Sequence, residues 1–301
     1  MYFEEARRFL YRNARPLDLA RWRFHFENGS REEVLALLAA YQNPDGGFAH
    51  ALEPDCWNPN SSPVQTWCAT EILRELGPTD KAHPIVQGIL HYLSLGTDFD
   101  GHVWANCVPT NNDFPHAPWW TFAPGAPVSY NPTASLAGFI LHFAESDTPL
   151  YAWACAIAGE AYTWFEANAP LESFHTAACF VELYEYVKDT PAAALFDMAA
   201  FRALLTRQLA ASVTADEAAW KTEYVCKPSL FIHDKSSDFY PSLAAVCETE
   251  CRFLRAAQAP DGTWPLTWAW GAYPAQWAVS ENWWKADLIL KNTRFLEAMR
   301  G

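Results

Sequence analysis

The stretch Ala49-His50-Ala51-Leu52-Glu53-Pro54-Asp55-Cys56-Trp57 sets two carboxylates, an imidazole and an indole close together in the chain. Glu53, Asp55 and His50 can give or take protons while Trp57 offers a stacking ring, the parts of a general acid/base site. Glu172 and His175, three residues apart, fall around one helical turn and form a second acid/base pair, because an imidazole changes charge near neutrality. A third acid, Asp238, follows a long loop and has Tyr240 two residues on, so burial and a ring neighbour would tune its proton affinity. Glu281 adds a carboxylate to an indole-rich tail. Each acid also has a plainer role. Asp238 suits a helix cap, Glu172 offsets a helix dipole, His175 can be a hydrogen-bonded core histidine, and the Glu53 loop can be polar surface.

Rings are the strongest bias in composition, with 15 Trp, 19 Phe and 12 Tyr among 301 residues. Such rings wall a sugar face, a polyene or a carbocation, and they also fill large cores. The irregular stretch 96–131 carries His116, Trp119, Trp120 and Asn131, and reads as a lid or pocket wall, with a structural plug as the alternative. Trp270 and Trp283 in the last loop, with Tyr240, His50 and Trp57, complete the expected substrate-contacting set.

Eight cysteines form no Cys-x-x-Cys pair, and Cys247 and Cys251, four apart on one helix face, have no His-rich partner segment. Buried thiols are expected, with no metal and no other cofactor. A net charge of −14 repels phosphate backbones and anionic lipid, which excludes nucleic acid as a partner and requires any anionic substrate to find a local basic site. With no apolar window of about 18 residues and no basic-then-apolar start, no transmembrane segment is expected and the reading is cytoplasmic. No Gly/Ser linker or charge block divides the chain, so residues 1–301 read as a single domain with long loops at about 43–61, 96–131, 222–239 and 260–282.

The elements that position these residues are helical. Apolar residues recur at helical spacing over 3–11, 34–41, 64–76, 85–95, 134–143, 150–165, 174–187, 192–209, 243–257 and 283–299, and alternating strand patterns are almost absent. Ser30-Arg31-Glu32-Glu33 is a capping box, and Ser62-Pro63, Thr148-Pro149 and Thr190-Pro191 place a cap before a first-turn proline. Four helix starts, at Thr66, Thr133, Thr176 and Ser242, lead into runs of small residues that let helices approach closely. These four are the expected inner helices of a double-layered barrel, whose starts converge on one mouth and there favour an electron-rich partner.

Two segments repeat. Leu38-x-x-x-Gln42-Asn43-Pro44-Asp45-Gly46-Gly47-Phe48 and Leu254-x-x-x-Gln258-Ala259-Pro260-Asp261-Gly262-Thr263-Trp264 share a helix end, a Gln, a Pro-Asp-Gly turn and an aromatic, and Asp100-Gly101-His102-Val103-Trp104 is a degraded copy. This pattern resembles the Gln-Trp repeat of squalene-hopene cyclases and the related turns of protein prenyltransferase β subunits. The tail Glu281-Asn282-Trp283-Trp284-Lys285 looks like a cyclase's closing helix. The resemblance implies an all-α (α/α)6 toroid of the terpenoid-cyclase kind, with an aromatic-lined central pocket and acid/base chemistry on an isoprenoid.

The departures bear on the chemistry. No Asp-x-Asp-Asp-Thr string, the proton donor of class II terpene cyclases, stands at any expected inner start. Asp55-Cys56 lacks the His-containing partner of a prenyltransferase zinc site, and the Cys-His-Gly-type zinc segment of lanthionine cyclases is missing. Fold alone does not choose among functions. A small-molecule enzyme acting on an isoprenoid is the first expectation, a carbohydrate-active hydrolase or lyase the second, and a non-catalytic binder of lipid, glycan or peptide the third.

Overall fold

In a computed structural model that describes residues 2–125 and 129–300, every regular element is helical. Residues 126–128 of the expected lid loop lie outside the described part. Twelve α-helices are described: α1 (Phe3–Asn13), α2 (Pro16–Phe26), α3 (Arg31–Ala39), α4 (Pro63–Glu75), α5 (Pro84–Ser94), α6 (Thr133–Phe143), α7 (Pro149–Asn168), α8 (Phe174–Val187), α9 (Met198–Ser212), α10 (Ala219–Thr222), α11 (Tyr240–Ala257) and α12 (Pro274–Ala298). Among the described residues there is no strand, only isolated bridges such as Cys56 to His116, and no helix is long and apolar enough to cross a membrane. The chain is all-α.

Helices begin where short polar side chains replace missing backbone partners. Ser30 accepts from the Glu33 N–H, Ser62 from Gln65 and Thr148 from Tyr151, and Pro63 and Pro149 follow their caps at the first helical position. Contacts divide the chain into two compact units, Tyr41–Ser212 and the two terminal segments Met1–Ala40 with Val213–Gly301.

In the unit Tyr41–Ser212, α6 is the centre, packing on α4, α5, α7 and α8. Its sequence TASLAGFILHF is apolar on every side, and all its residues but His142 are buried. Gly138 explains how closely α8 approaches, since a Cβ there would sit 3.0 Å from Leu183 Cα. Thr side chains tie loops to the helix starts: Thr66 Oγ1 accepts the Phe48 N–H at 3.1 Å, and Thr133 Oγ1 accepts the Trp104 N–H at 2.9 Å. The first Pro-Asp-Gly turn closes as its residues dictate. Gln42 Nε2 donates to the Gly46 carbonyl at 2.9 Å, Asp45 Oδ1 accepts the Gly47 N–H at 3.0 Å, and Gly46 (φ +86°) lies so close to α5 that a Cβ would fall 2.1 Å from the Gly88 carbonyl oxygen.

The terminal unit repeats that turn. Gln258 Nε2 donates to the Gly262 carbonyl at 3.0 Å, Asp261 Oδ1 accepts the Thr263 N–H at 3.0 Å, and a Cβ on Gly262 (φ +87°) would fall 2.1 Å from Ala6 N on α1. The aromatic of this copy, Trp264, is buried and donates its indole N–H to the Leu254 carbonyl at 2.9 Å. In the same unit, α2 and the residue before it carry a buried ionic lattice: Arg15 Nε to Asp18 Oδ2 at 2.6 Å, Arg21 Nη1 to Asp18 Oδ1 at 3.0 Å, and Arg21 Nη1 to Asp287 Oδ1 on α12 at 3.2 Å.

Several helices differ from the apolar spacing, among them the short α10. The spacing names no helix over 16–26, because Asp18 and Arg21 break up the apolar buried positions Leu17, Ala20 and Trp22 of α2. Over 192–209 it merges two elements that Asp197 separates, its Oδ1 accepting the Ala199 and Ala200 N–H groups at the start of α9. The last helix starts at Pro274, so Trp277, Glu281, Trp283 and Trp284 are helical and the loop before them is shorter than 260–282.

Candidate functional site

A ridge of residues three apart on α8, Thr176, Cys179, Glu182 and Glu185, meets a polar side chain at every step. Thr176 Oγ1 lies 3.2 Å from Ser129 Oγ, Cys179 Sγ donates to Asn131 Oδ1 at 3.6 Å, Glu182 Oε2 accepts the Trp67 indole N–H at 2.8 Å, and Glu185 pairs with Arg74. The partners at the last two steps come from α4, where Trp67 and Arg74, seven apart, share a face. Glu71 on that face bonds Arg74 Nη1 at 3.0 Å, and Glu182 Oε1 stands 3.8 Å from the same nitrogen.

One guanidinium therefore serves three carboxylates. Glu182 is the most enclosed, its side chain 8% exposed, against 30% for Glu71 and 26% for Glu185. Burial and the neighbouring Glu71 push the Glu182 carboxyl up to about 8, with Arg74 and the Trp67 N–H pulling the other way. Burial likewise raises Glu185. Tyr186 adds a buried ring whose centroid is 5.4 Å from the Arg74 guanidinium carbon. The outcome is a carboxyl whose hold on its proton is strengthened by burial, beside an indole, a phenol and two acids that reach solvent. Such a group can act as an acid.

The loop holding Glu53 and Asp55 is built differently. His50 (φ +61°) and Ala51 (φ +58°) are consecutive left-handed residues, a strained conformation held by the surrounding hydrogen bonds. Glu53 N–H donates to Gln65 Oε1 at 2.7 Å, Gln65 Nε2 donates to the Cys56 carbonyl at 2.8 Å, and the Glu53 carboxylate accepts the Asp55 N–H at 2.8 Å. Asp55 and Trp57 are then joined to the His116 segment, through Ala117 N–H to the Asp55 carbonyl at 2.8 Å and Trp57 N–H to the Pro115 carbonyl at 3.0 Å. His116 is buried, with Nδ1 2.7 Å from the Phe114 carbonyl, which accepts its proton, leaving Nε2 to face Thr121 Oγ1 at 3.1 Å. His50 Nε2 lies 2.9 Å from Asn43 Oδ1. Loop and helix hold these groups rigidly. Gln65 and Trp67 are two residues apart, about 200° around a helix, so the Glu53 loop and the Glu182 centre meet different faces of α4.

Of the other expected residues in this unit, Asn131 accepts from Cys179 of the α8 ridge, and His175, half-buried against the Phe174 ring at 4.4 Å, stands at the beginning of that helix. Glu172 is exposed, Trp119 is 46% exposed and Trp120 is half-buried. Asp238, Tyr240, Trp270, Glu281 and Trp283 belong to the terminal unit. Asp238 is half-buried and does not cap α11, whose start at Tyr240 follows Phe239 without a side-chain cap. Glu281 pairs with Lys285 at 2.7 Å one turn on, Trp270 is a core ring packed 5.8 Å from Trp277, and Trp283 lies under the Arg15 guanidinium at 5.6 Å.

Trp67, Glu71, Arg74, Glu182 and Glu185 escaped the sequence reading. Their signal was a charged residue at an otherwise buried position: Glu182 interrupts the apolar run Ala177 to Leu183, and Trp67, Glu71 and Arg74 repeat at helical spacing across from it. All eight cysteines are free thiols, and no cluster of three or more metal-ligating side chains occurs among the described residues. Comparison with protein-family models, curated proteins and solved structures returns no match for this chain.

Proposed function

We propose that this chain is an enzyme of the α/α-toroid, terpenoid-cyclase-like kind, in which Glu182 is the acid that protonates a hydrophobic, isoprenoid-type small molecule. The observation that carries this reading is the Glu182 carboxyl itself, enclosed on α8, bonded to the Trp67 indole at 2.8 Å and sharing one guanidinium with two other acids. An acid that begins such a reaction must hold its proton at working pH and surrender it to a weak base, which burial favours. Proton transfer from Glu182 to a substrate double bond leaves a carboxylate on α8 and a positive charge on the substrate. The rings of Trp67 and Tyr186 and the neighbouring Glu71 and Glu185 carboxylates suit that charge. Loss of a proton from the cationic product to the Glu182 carboxylate restores the acid. The turn chemistry shared by Gln42–Phe48 and Gln258–Trp264 supports the toroid part of the reading.

A second reading follows from the same centre. Glu71 and Glu185 beside a protonated Glu182 give the acid and base that a glycan-active enzyme uses, with Trp67 as a stacking face. The test is incubation of the purified protein with linear polyenes, prenyl diphosphates and oligosaccharides, with products read by mass spectrometry. The isoprenoid reading expects a cyclised or rearranged product from the first two groups that E182Q abolishes while its circular dichroism and melting stay those of a folded protein. Turnover of oligosaccharides alone transfers the centre to the second reading, and product formation unchanged in E182Q removes Glu182 as the acid.

A further inference from the structure

The terminal unit holds a cleft of about 260 Å³ along α11, bounded by Lys235, Tyr240, Glu248, Arg252 and Arg255, with Cys247, Cys251 and Met299 beside them. Its charge runs against the rest of the molecule. The chain carries −14 overall, yet the cleft wall has three cations to one acid, a local excess of two positive charges. Among the described residues those cations also have no ion-pair partner: Arg7, Arg15, Arg21 and Arg74 are each held by carboxylates, whereas Lys235, Arg252 and Arg255 meet no described carboxylate within ion-pair distance, and Arg252 donates to the Thr249 hydroxyl at 2.9 Å. Arg252 and Arg255 are three apart and so project from neighbouring positions on one side of the helix.

The cations line the same cleft as two thiols, a thioether and a phenol ring. Cys247 and Cys251 are buried, Tyr240 and Met299 half-buried. Burial pushes the Cys251 thiol up, Arg255 and Lys235 pull it down and Glu250 and Glu248 add to the rise, so both cations lie within electrostatic reach of the same sulfur together with two acids. A basic rim over an apolar floor is complementary to a charged head on an uncharged body, and guanidinium pairs suit the planar or tetrahedral oxygens of carboxylate and phosphate.

We propose that this cleft is a binding site for a small organic oxyanion, a phosphate or carboxylate carried on an apolar body that lies over Cys247, Cys251 and Met299 while Lys235, Arg252 and Arg255 hold the head. The inference stands apart from the Glu182 reading and uses none of its residues. The experiment is calorimetric titration of the intact wild-type chain with octyl phosphate, octanoate, inorganic phosphate and the neutral octyl glucoside at low salt. Saturable one-to-one binding of octyl phosphate or octanoate, at least tenfold tighter than inorganic phosphate or octyl glucoside, is expected, and the stronger of the two anions identifies the head group. In R252Q/R255Q, whose exposed side chains leave the core untouched, that affinity drops at least tenfold, and raising the salt weakens binding to the wild type. Failure of both amphiphilic anions to bind, equal binding of octyl glucoside, or unchanged affinity in R252Q/R255Q overturns the site.

Discussion

Trp67 donates its indole N–H to Glu182 Oε2 at 2.8 Å, so the one hydrogen bond that crosses from α4 to this carboxyl favours its ionised form, against burial and Glu71. The proton on Glu182 is thus held by a balance. Replacing Trp67 with Phe removes the donor and keeps most of the ring, which tips the balance toward the protonated state. Activity that needs the acid form persists below the Glu182 value of about 8 and falls as pH rises through it. In W67F that alkaline limb moves to higher pH, whereas E182Q loses the limb and, at pH below it, about 100- to 10,000-fold in rate, the range by which a general acid contributes. A pH–rate profile of the three proteins checks both statements, and a limb that stays in place in W67F disconnects the indole from the acid.

Glu250, on α11, gives a pH effect that needs no substrate. It is fully buried, accepts the Ser229 N–H at 2.8 Å and the Ser229 hydroxyl at 2.5 Å, and burial raises it to about 7. A carboxyl raised in the fold stabilises most below its unfolded value near 4.5, and that contribution drains away as pH climbs to about 7, where the folded carboxyl ionises too. Linkage puts the total on the order of 3 kcal/mol. Urea denaturation at pH 4.5 and pH 8 measures it: the wild type loses more stability than E250Q across that interval, and equal losses in both would show that the buried carboxyl is not the titrating group.

How much of this was readable depends on which force fixed each element. Where apolar spacing or turn chemistry decides, the residues announce the structure: α6 is apolar throughout, and Asp45 and Asp261 close their turns alike. Where ion pairs decide, they do not. The buried side of α2 mixes Leu17, Ala20 and Trp22 with Asp18 and Arg21, charges that in sequence look solvated, because pairing across 266 residues to Asp287 is invisible to any local window. The acid centre was hidden for the same reason. Glu182 reads as an ordinary helix glutamate until α4 brings Trp67 and Arg74 against it, 115 residues away in the case of the indole. Glu53 and Asp55 were legible as acid/base candidates on a loop, whereas the hydrogen bonds that order this loop, from the Glu53 N–H to Gln65 and from the Asp55 N–H to the Glu53 carboxylate, were not.

The α2 lattice makes its own prediction. Burial works to raise Asp287, yet Lys291 and Arg21 hold it below the usual carboxylate range. Its stabilising contribution is present above the unfolded carboxylate value and is lost as pH falls through the lower folded one. Asp287→Asn takes one carboxylate from the buried Arg21, and breaking a buried pair from one side costs about 3–5 kcal/mol. The double change R21M/D287L removes both charges and recovers most of that loss. Denaturant midpoints of the single and double variants, taken at pH 7, decide it, and a double variant no more stable than Asp287→Asn would mean that packing, not charge, holds α2 to α12.

The repeated turn offers the sharpest contrast between backbone strain and close approach. Gly77 (φ +82°) and Gly262 (φ +87°) share the left-handed conformation, but an added Cβ meets nothing within 4 Å at Gly77 and lies 2.1 Å from Ala6 N at Gly262. Alanine at Gly77 therefore carries only the conformational cost, about 1–2 kcal/mol. At Gly262 the same cost is joined by a clash with main-chain atoms of α1, and relief requires α1 to move away from a turn whose Gln258 also accepts the Tyr2 N–H at 2.8 Å. The loss at Gly262 is expected to exceed that at Gly77 by about 2 kcal/mol or more, as overpacking against unyielding atoms does. Thermal melts of Gly77→Ala and Gly262→Ala beside the wild type measure the difference, and equal shifts would show that the turn does not need contact with α1 to keep its glycine.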